Sequence, residues 1–405
     1  MPQSYLNWMG LNAHVPSGSG LRKTPCARCL HALVQRSTRS AVASLSTRGE
    51  WFRLARRNVG GRRAGLWPHL RPACIRPRAG RAATHRNRSM RLGMLLPHRA
   101  VVLSSARRPP LDQCWASARL CDQAGMDLWV GDSIVAKPRL EPLTTLAYCA
   151  AITEHARLGT AVLLPALRQP TVLAHMLANI DQLSAGRLVL GLGVGWPLPV
   201  IEREWEACGR VHKRRARDLE EHIVVWRKLW SGAPVGFEGN GFKLTEHTIG
   251  PLPWTEAGPP VLVTAGNRGE FIPAQIERVG RLGDGVITTY VTEDDIRRLR
   301  ELCQEAFEKH GRARREFPLC VYTTVRIEPD AAKAERETRA FLERYYGGGV
   351  NFRGLMGLGP AVAVIEVLKR YQAAGVTDLC VRFAGEDQVA QLEQFIRDVL
   401  PAFVS

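Results

Sequence analysis

Three glycines at alternate positions, Gly191, Gly193 and Gly195, follow an apolar run that is typical of a buried strand. Because glycine has no Cβ, its backbone can come close to a ligand. The pattern is G-x-G-x-G rather than the G-x-G-x-x-G of a dinucleotide-binding turn, and Pro197 and Pro199 favour an extended path after it. We therefore predict that these glycines let a flat ligand approach the backbone; a tight turn without a ligand is the alternative.

A second glycine-rich segment, from Thr264 to Gly269, comes directly before a predicted helix. Exposed backbone N–H groups and the helix dipole attract anions at such a place. Arg268 adds a positive charge, and Gly266 and Asn267 stand beside it. The segment therefore predicts a phosphate site, and an ordinary loop with a solvated arginine is the alternative.

Polar residues stand at the ends of several other predicted strands, which a barrel would gather at one mouth. Each of these residues either contacts a ligand or has a structural role, and the sequence leaves both possibilities open. They are His98, Asp132, Ser133, Arg168, Thr288, Tyr290 and Arg382. From Met90 onward there is no H-x-H or H-E-x-x-H pattern, no G-x-S-x-G elbow and no P-loop. No metal site and no catalytic side chain is assigned, so an organic cofactor would have to supply the hard chemistry.

One stretch, Leu158 to Trp196, must position the glycines. Residues 158–164 are apolar and predict a strand. Apolar side chains then recur at spacings of three and four over residues 170–183, which predicts one buried helix face, and Gly186 follows the helix end. A second apolar strand begins at Leu188 after a short connection. This order predicts a β-α-β unit with two parallel strands.

The same alternation continues along the chain from Met90. It predicts strands at 91–96, 127–130, 157–164, 188–193, 260–264, 285–288, 319–326 and 378–383. It predicts helices at 111–124, 142–153, 170–183, 213–230, 271–282, 293–309, 330–346, 360–374 and 387–399. Eight strands with helices between them favour a (β/α)8 TIM barrel with insertions, an α/β fold, over residues 90–405. An open doubly wound sheet is the alternative, although such sheets usually have fewer strands.

Three stretches interrupt this alternation. Residues 197–213 are predicted to form a loop after the glycine cluster. Residues 235–244 predict a hairpin whose turn contains Gly239, Asn240 and Gly241. The glycine-rich residues 347–359 are predicted to form a mobile lid.

The first 89 residues differ in composition from the rest of the chain. They hold 17 Lys and Arg residues and a single acid, Glu50, which is +16 of the total formal charge of +18. They show no sustained helix or strand periodicity and predict a disordered basic tail. Three explanations are open: a start codon upstream of the true start at Met90, a targeting segment, or a nucleic-acid-binding arm.

The remaining composition indicates a protein without membrane spans. No apolar run reaches the roughly 18–20 residues that a membrane span needs. The ten cysteines have no regular spacing, and the pair Cys26 and Cys29 has no second pair that would complete a zinc site. A reducing compartment is therefore expected, and we predict a cytoplasmic location.

Several of these motifs together resemble the bacterial luciferase-like flavin monooxygenase superfamily, which includes deazaflavin-dependent oxidoreductases. The resemblance covers residues from about 90 to 403. It is carried by Leu158-Gly159-Thr160-Ala161-Val162, Arg168-x-Pro170, Asp181-x-x-Ser184-x-Gly186-Arg187, Gly191-x-Gly193-x-Gly195-Trp196, Ala265-Gly266 and Leu282-Gly283-Asp284-Gly285.

The resemblance implies a barrel whose mouth binds reduced FMN or its deazaflavin analogue, coenzyme F420. It implies a non-proline cis peptide bond between Ala161 and Val162, next to the ring of the cofactor. It also implies cofactor contacts for Gly191, Gly193 and Gly195 at the ring, and for Gly266, Asn267 and Arg268 at the phosphate.

Two positions depart from the pattern of the deazaflavin members. Some of those members place a His where this chain has Ser133, and some place a Glu where it has Trp196. Their acid–base residues therefore cannot be transferred to this chain, and Trp196 is better placed as an aromatic wall. The predicted substrate pocket consists of His98, Ser133, Trp196, Arg168 and Arg382.

We therefore expect a flavin- or deazaflavin-dependent oxidoreductase that transfers a hydride to, or inserts oxygen into, a small organic substrate. A homodimer is expected, with a separate reductase as a further partner and no nucleic acid bound by the barrel. Two alternatives are a non-catalytic flavin-binding barrel and an NAD(P)-dependent dehydrogenase on an open sheet.

Overall fold

A closed barrel of eight parallel strands forms the centre of the protein. The computed structural model describes residues 90–314, 316–346 and 354–404. The strands are β1 (Arg91–Leu95), β2 (Asp127–Val130), β3 (Leu158–Thr160), β4 (Leu188–Leu192), β5 (Val235–Glu238), β6 (Lys243–His247), β7 (Val261–Thr264), β8 (Gly285–Thr289), β9 (Leu319–Ile327), β10 (Gly357–Gly359) and β11 (Asp378–Phe383).

The strand order around the barrel is β1-β2-β3-β4-β7-β8-β9-β11, and β11 pairs with β1. Because β9 pairs with both β8 and β11, the sheet closes on itself. The predicted barrel is confirmed, and the alternative of an open sheet is wrong. Strands β5 and β6 form a separate antiparallel hairpin, as the turn residues predict.

Helices cover the outside of the barrel. They are α1 (Ala100–Ser104), α2 (Asp112–Gln123), α3 (Pro142–Ile152), α4 (Pro170–Leu183), α5 (Pro199–Ala207), α6 (Arg215–Leu229), α7 (Pro273–Leu282), α8 (Glu293–Lys309), α9 (Ala331–Tyr346), α10 (Ala361–Ala373) and α11 (Gln388–Asp398). Helices α3, α4, α5 and α7 begin with proline, which loses nothing there because the first N–H of a helix has no partner within the helix. Thr292 and Asp295 cap α8 reciprocally.

Helix α5 corrects one prediction. Residues 197–213 are predicted as a loop, but residues 199–207 are helical. Pro199 occupies the first helical position, where proline favours a helix instead of preventing one. The helix is held by its apolar face, because Ile201 and Trp205 are buried against the turn that follows β3.

The predicted lid is corrected in part. Residues 357–359 form β10, which pairs in parallel with β9 and so extends the sheet beside the barrel. Gly357 lies opposite Val325 in that pairing. Residues 347–353 of the predicted lid lie outside the described residues, and so does the predicted disordered tail, residues 1–89.

The barrel interior is a small cluster that is separate from the main core. Seven of the eight barrel strands contribute one side chain each: Leu95, Trp129, Val189, Leu262, Ile287, Cys320 and Cys380. The remaining strand, β3, contributes Gly159, and the ring of Trp129 fills the place where its side chain would stand. This packed layer closes the barrel below its mouth.

An ion-pair network holds the opposite, amino-terminal end of the barrel. Asp127 is buried and accepts hydrogen bonds from both Arg91 and Arg157. Arg157 also pairs with Asp378 at the start of β11. This network serves the closure of the barrel, because it joins β1, β2 and β11. Among the described residues, no helix is both long and apolar enough to cross a membrane.

Candidate active site

A cavity of about 530 Å³ lies at the carboxyl ends of the barrel strands. Residues that follow β2, β3 and β4 form one side of it, and residues at the ends of β7 and β8 form the other. This is the face where (β/α)8 barrels carry their sites. The volume lies within the range of about 300–1,000 Å³ that is usual for pockets binding small molecules or cofactors.

The cavity brings together eight residues of the two predicted sets. They are Ala161, Val162, Gly193, Gly195, Asn267 and Arg268 from the predicted cofactor set, and Ser133 and Trp196 from the predicted substrate set. The peptide bond between Ala161 and Val162 is cis, as the resemblance implied. Asp132, Thr288 and Tyr290, which also stand at strand ends, line the cavity too.

Two predicted glycines lie behind the cavity wall. A Cβ on Gly191 would overlap the carbonyl oxygen of Thr160, so this glycine is required for the packing of β4 against β3. Gly266 has a positive φ of 67°, and a Cβ there would face Leu299. Gly193 differs, because its missing Cβ would lie 2.5 Å from Cγ2 of Val162, which itself lines the cavity.

Arg268 closes one side of the cavity with Trp196. Its guanidinium lies 4.1 Å from the centre of the Trp196 ring, a cation–π contact. Its φ of 59° lies in the left-handed region, which is unusual for a residue with a Cβ. Within the described residues, its buried Nε has no hydrogen-bond partner. The arginine thus keeps donor capacity for an anion.

Asp132 and Arg168 form an ion pair with two hydrogen bonds. Two guanidinium nitrogens of Arg168 donate to the two carboxylate oxygens of Asp132, at 2.6 and 3.0 Å. Asp132 also accepts from the N–H of Leu164, and Arg168 donates to Glu141. Arg168 is absent from the cavity lining. The pair therefore fixes the turns after β2 and β3, and we leave Arg168 out of the proposed substrate pocket.

His98 is also absent from the cavity lining. It is fully buried; in the neutral form Nδ1 donates to the carbonyl oxygen of Leu96 at 2.8 Å, and Nε2 accepts from the N–H of Gly131 at 3.1 Å. Burial, with a contribution from the nearby charge of Arg139, lowers the pKa of His98 to about 4. A neutral, fully bonded imidazole in this position ties the end of β1 to the end of β2.

Glu204 on α5 holds the turn after β2 and was missed by the sequence reasoning. One of its carboxylate oxygens accepts from Ser133 Oγ at 2.7 Å and from the N–H groups of Ile134, Val135 and Ala136. The side chain is buried and lines the cavity. Residues 197–213 are predicted as a loop, and a loop does not indicate which of its side chains are buried. The helix α5, which turns Glu204 inward, was therefore the signal that was missed.

A cluster of tyrosines surrounds Arg382 on the far side of the cavity. Arg382 is 2% exposed and does not line the cavity, whereas Tyr290, Tyr322 and Tyr346 do. Nη1 of Arg382 donates to the hydroxyl of Tyr346 at 2.7 Å. Only Tyr290 was among the sequence candidates, since nothing in the local pattern places Tyr322 or Tyr346 at the mouth.

The charged residues of the lining make the cavity electropositive. The cations are Lys137, Arg139, Arg215 and Arg268, and the acids are Asp132, Glu204 and Glu270. Asp132 is paired with an arginine outside the lining, and Glu204 accepts four hydrogen bonds. An anionic ligand therefore suits this cavity better than a cationic one.

The residues present fit a phosphorylated, flat cofactor. Thr288 Oγ1 is buried at the cavity and, like Nε of Arg268, has no hydrogen-bond partner in the described part of the chain. Such groups are costly unless something bonds to them. The arginine suits a phosphate, and the threonine suits a polar edge of a ring. Within the same residues, no group of three or more His, Cys, Asp or Glu forms a metal site.

Comparison with known proteins gives a family match. The profile of the luciferase-like monooxygenase family matches residues 90–384. The chain is also similar to the F420-dependent glucose-6-phosphate dehydrogenase 1 of Rhodococcus jostii (strain RHA1). The two sequences are 29% identical over 285 residues, which cover 64% of this chain and 83% of the relative.

Solved structures share the fold at lower identity. An F420-dependent secondary alcohol dehydrogenase in complex with an F420-acetone adduct has a TM-score of 0.65 and 17% identity, with 78% of this chain and 100% of that chain covered. The oxygenating constituent of 3,6-diketocamphane monooxygenase from Pseudomonas putida, in complex with FMN, has a TM-score of 0.63 and 18% identity, with 78% and 99% covered. At these identities the likeness concerns the fold alone.

Proposed function

Because the chain belongs to the luciferase-like monooxygenase family, we propose that it is an oxidoreductase that uses coenzyme F420 to take a hydride from a small hydroxyl-bearing substrate. The coarser statement, a flavin- or deazaflavin-dependent oxidoreductase, follows from the family and its F420-dependent relatives. The observation that carries the proposal is one cavity that combines the wall of Ala161, Val162, Gly193 and Gly195 with a cationic side that includes Arg268.

We assign the cofactor ring to the wall formed by Ala161, Val162, Gly193 and Gly195. The cofactor phosphate is assigned to Asn267 and Arg268, whose loop precedes α7. Gly191 and Gly266 support these contacts from behind, because their missing side chains let β4 and the β7 loop approach their neighbours. Ser133 and Trp196 border the remaining space, where we place the substrate.

The bound deazaflavin would supply the hydride acceptor. The protein's own contribution is to position ring and substrate, to exclude water and to balance charge. Trp196 and Arg268 cover the cavity from one side, and the tyrosine cluster limits it on the other. The electropositive lining supports a substrate with an anionic group, and glucose 6-phosphate, named for the relatives, is the first compound to test.

The test is a titration of the protein with F420 and with FMN in parallel, followed by tryptophan fluorescence. Since Trp196 lines the cavity, its emission should change when a ring binds. Trp196→Phe is the matched control and should lose that part of the signal. We expect preferential binding of F420, and loss of F420 absorbance on addition of glucose 6-phosphate or another hydroxy compound.

Other results would change the assignment. Preferential binding of FMN would favour an oxygen-inserting flavin enzyme of the kind that the Pseudomonas putida structure represents. If a folded protein bound neither compound, the non-catalytic ligand-binding barrel would take the place of this proposal.

We also propose a cytoplasmic homodimer that works with a separate enzyme for recycling the cofactor. The seven cysteines in the described residues are all free, which supports a reducing compartment. Light scattering of the purified protein tests the dimer, and a mass of about one chain would contradict it.

A further inference from the structure

Arg382 is a buried cation without a carboxylate partner among the described residues. Nη1 donates to Tyr346 and Nη2 donates to Thr324 Oγ1, both at 2.7 Å. No acid in the described part of the chain forms an ion pair with this guanidinium, which is 2% exposed. Burying an arginine without a negative partner costs several kcal/mol. Something near it must therefore supply negative charge.

Aromatic rings provide part of the compensation. The guanidinium carbon of Arg382 lies 5.0 Å from the ring centre of Tyr322, 4.9 Å from that of Tyr345 and 5.2 Å from that of Tyr346. The electron-rich ring faces attract a cation, but each such contact is weaker than an ion pair with a carboxylate. The rings lessen the cost of the buried charge without neutralising it.

Further cations surround the same tyrosines. Arg99 lies 4.5 Å from the Tyr345 ring centre, and Lys137 lies 4.7 Å from that of Tyr346. No described residue forms a salt bridge with either cation. In the sequence, residues 347–353 after Tyr346 include no Asp or Glu. The cluster thus has three cations and several phenols, and a phenolate is the anion that it can form by itself.

The pKa values separate one phenol from the others. Burial raises the pKa of Tyr346, but the charge of Arg382 and the hydrogen bonds from Tyr290, Arg382 and Tyr322 outweigh it and lower the pKa to about 8. Burial raises the pKa of Tyr290 and Tyr322. Among the described residues, the titratable or charged groups that face Tyr346 include Arg99, Lys137, Tyr290, Tyr322, Tyr345 and Arg382.

We propose that Tyr346 is the catalytic proton acceptor of this site, with Arg382 as the residue that positions its oxygen. The inference rests on the proposed function and supplies the acid–base residue that the sequence left unassigned. With the deazaflavin bound, oxidation of the substrate would break its C–H bond, and the cofactor would take the hydride with its two electrons. The Tyr346 phenolate would accept the O–H proton as the carbonyl group forms. In reverse, the phenol would return the proton.

The first test follows tyrosinate absorbance in the near ultraviolet on ligand-free protein as the pH rises. We expect one tyrosine to ionise near pH 8, and this step to be absent in Tyr346→Phe. Tyr148→Phe is the matched control, because Tyr148 is exposed on α3, and the early step should persist in it. If no tyrosine ionises before the ordinary range near pH 10, the proposal is wrong.

Arg382 gives a second pair of variants. Arg382→Met should move the early ionisation upward in pH, whereas Arg382→Lys, which keeps the charge, should restore most of it. If Arg382 had only a structural role, both variants would lose stability to the same extent, and the pH of the early tyrosine ionisation would not differ between them. An early ionisation that stays in place in Arg382→Met would overturn the positioning role.

Kinetics test the catalytic role separately. For a substrate that reduces F420, kcat/KM should rise with pH through about 8. Tyr346→Phe should lower kcat by about 10²- to 10⁴-fold and remove that rise, with unchanged F420 affinity. An unchanged kcat in Tyr346→Phe would contradict the proposal. If wild-type protein reduces no F420 with any hydroxy compound, the proposed function fails, while the tyrosinate titration still decides whether Tyr346 ionises.

Inorganic phosphate distinguishes the rival use of the same cations. If Arg382 and Lys137 serve to bind an anionic group of the substrate, phosphate should quench tryptophan fluorescence equally well in Tyr346→Phe and in wild-type protein. That result, together with an ordinary Tyr346 pKa, would assign the cluster to anion binding. Phosphate that binds less well above pH 8, where the phenolate is already present, supports the phenolate.

Discussion

The side chain of Arg268 contacts an aromatic ring and can still donate a hydrogen bond to an anion. It stacks on Trp196, and its Nε has no partner in the described residues. We expect Arg268→Ala to weaken F420 binding by about 1.5–3 kcal/mol, because a charge-assisted hydrogen bond to phosphate is lost. Trp196→Phe should weaken it less, by about 0.5–1 kcal/mol, since only part of the stacking changes.

Isothermal titration calorimetry with F420 measures both effects, because Trp196→Phe itself removes part of the fluorescence signal. Arg217→Ala is the control, since Arg217 is exposed on α6. An unchanged affinity in Arg268→Ala would remove this residue from the cofactor site.

His98 should give the fold a pH dependence of its own. Its pKa is about 4 in the folded protein and about 6.5 when unfolded. The unfolded chain therefore binds more protons between these values, and stability is lost as the pH falls through this window. From pH 7 to pH 5 we expect a loss of about 2 kcal/mol from this group. Urea unfolding at the two pH values measures it.

His98→Gln is the variant that isolates this contribution, because glutamine does not titrate. Its overall stability should be lower, but the part of the pH dependence due to His98 should disappear. An equal loss of stability between pH 7 and pH 5 in both proteins would contradict the prediction.

At the scale of elements, the packing of β4 against β3 assigns a structural role to Gly191. A Cβ at this position would overlap the Thr160 carbonyl oxygen, and a backbone atom cannot move aside easily. We expect Gly191→Ala to destabilise the protein by about 1–3 kcal/mol. Gly236→Ala, whose Cβ would be 3.7 Å from the carbonyl oxygen of Leu244 in the β5–β6 hairpin, should be close to neutral. Thermal unfolding compares the two.

A different outcome would restore the ligand role of Gly191. If Gly191→Ala were as stable as the wild type but bound F420 more weakly, the glycine would be serving the approach of the ring. The same measurement therefore separates the two explanations of this glycine.

The strands and long helices could be predicted because their signal is local. Apolar periodicity places α4 at Pro170–Leu183 as predicted and places the other long helices within two residues of their observed ends. Helix α5 could not be predicted in this way, because Pro199 is equally compatible with an extended path and with a helix start. Its apolar face becomes evident only when Trp205 is seen against the β3 turn.

The site was less predictable than the fold. Glycines and Arg268 carry a signal in sequence, since few residue types suit a turn beside a ligand. The roles of Arg168, His98 and Arg382 depend on partners far along the chain, such as Asp132 for Arg168. Polar residues at strand ends reach either the cavity or each other, and the pattern of one strand does not distinguish these outcomes.

At the scale of the whole molecule, the described part of the site belongs to the barrel. Among the described residues, those that line the cavity lie between Asp132 and Tyr346, and the barrel strands lie between Arg91 and Phe383. We therefore expect a chain that begins at Met90 to keep the F420 affinity and the thermal midpoint of the full chain, although it lacks +16 of the formal charge. Parallel titrations and melting curves check this, and weaker binding by the shorter chain would give the first 89 residues a role in the site.

The grip of Glu204 on residues 133–136 also limits how this family can diversify. One carboxylate on α5 satisfies Ser133 and three successive N–H groups of the turn after β2. An insertion or deletion in α5 or in the turn after β2 would leave those N–H groups, or the carboxylate of Glu204, without their hydrogen-bond partners. The two segments should therefore have been inherited and replaced as a pair, and homologues that carry a histidine in place of Ser133 should also have lost this glutamate.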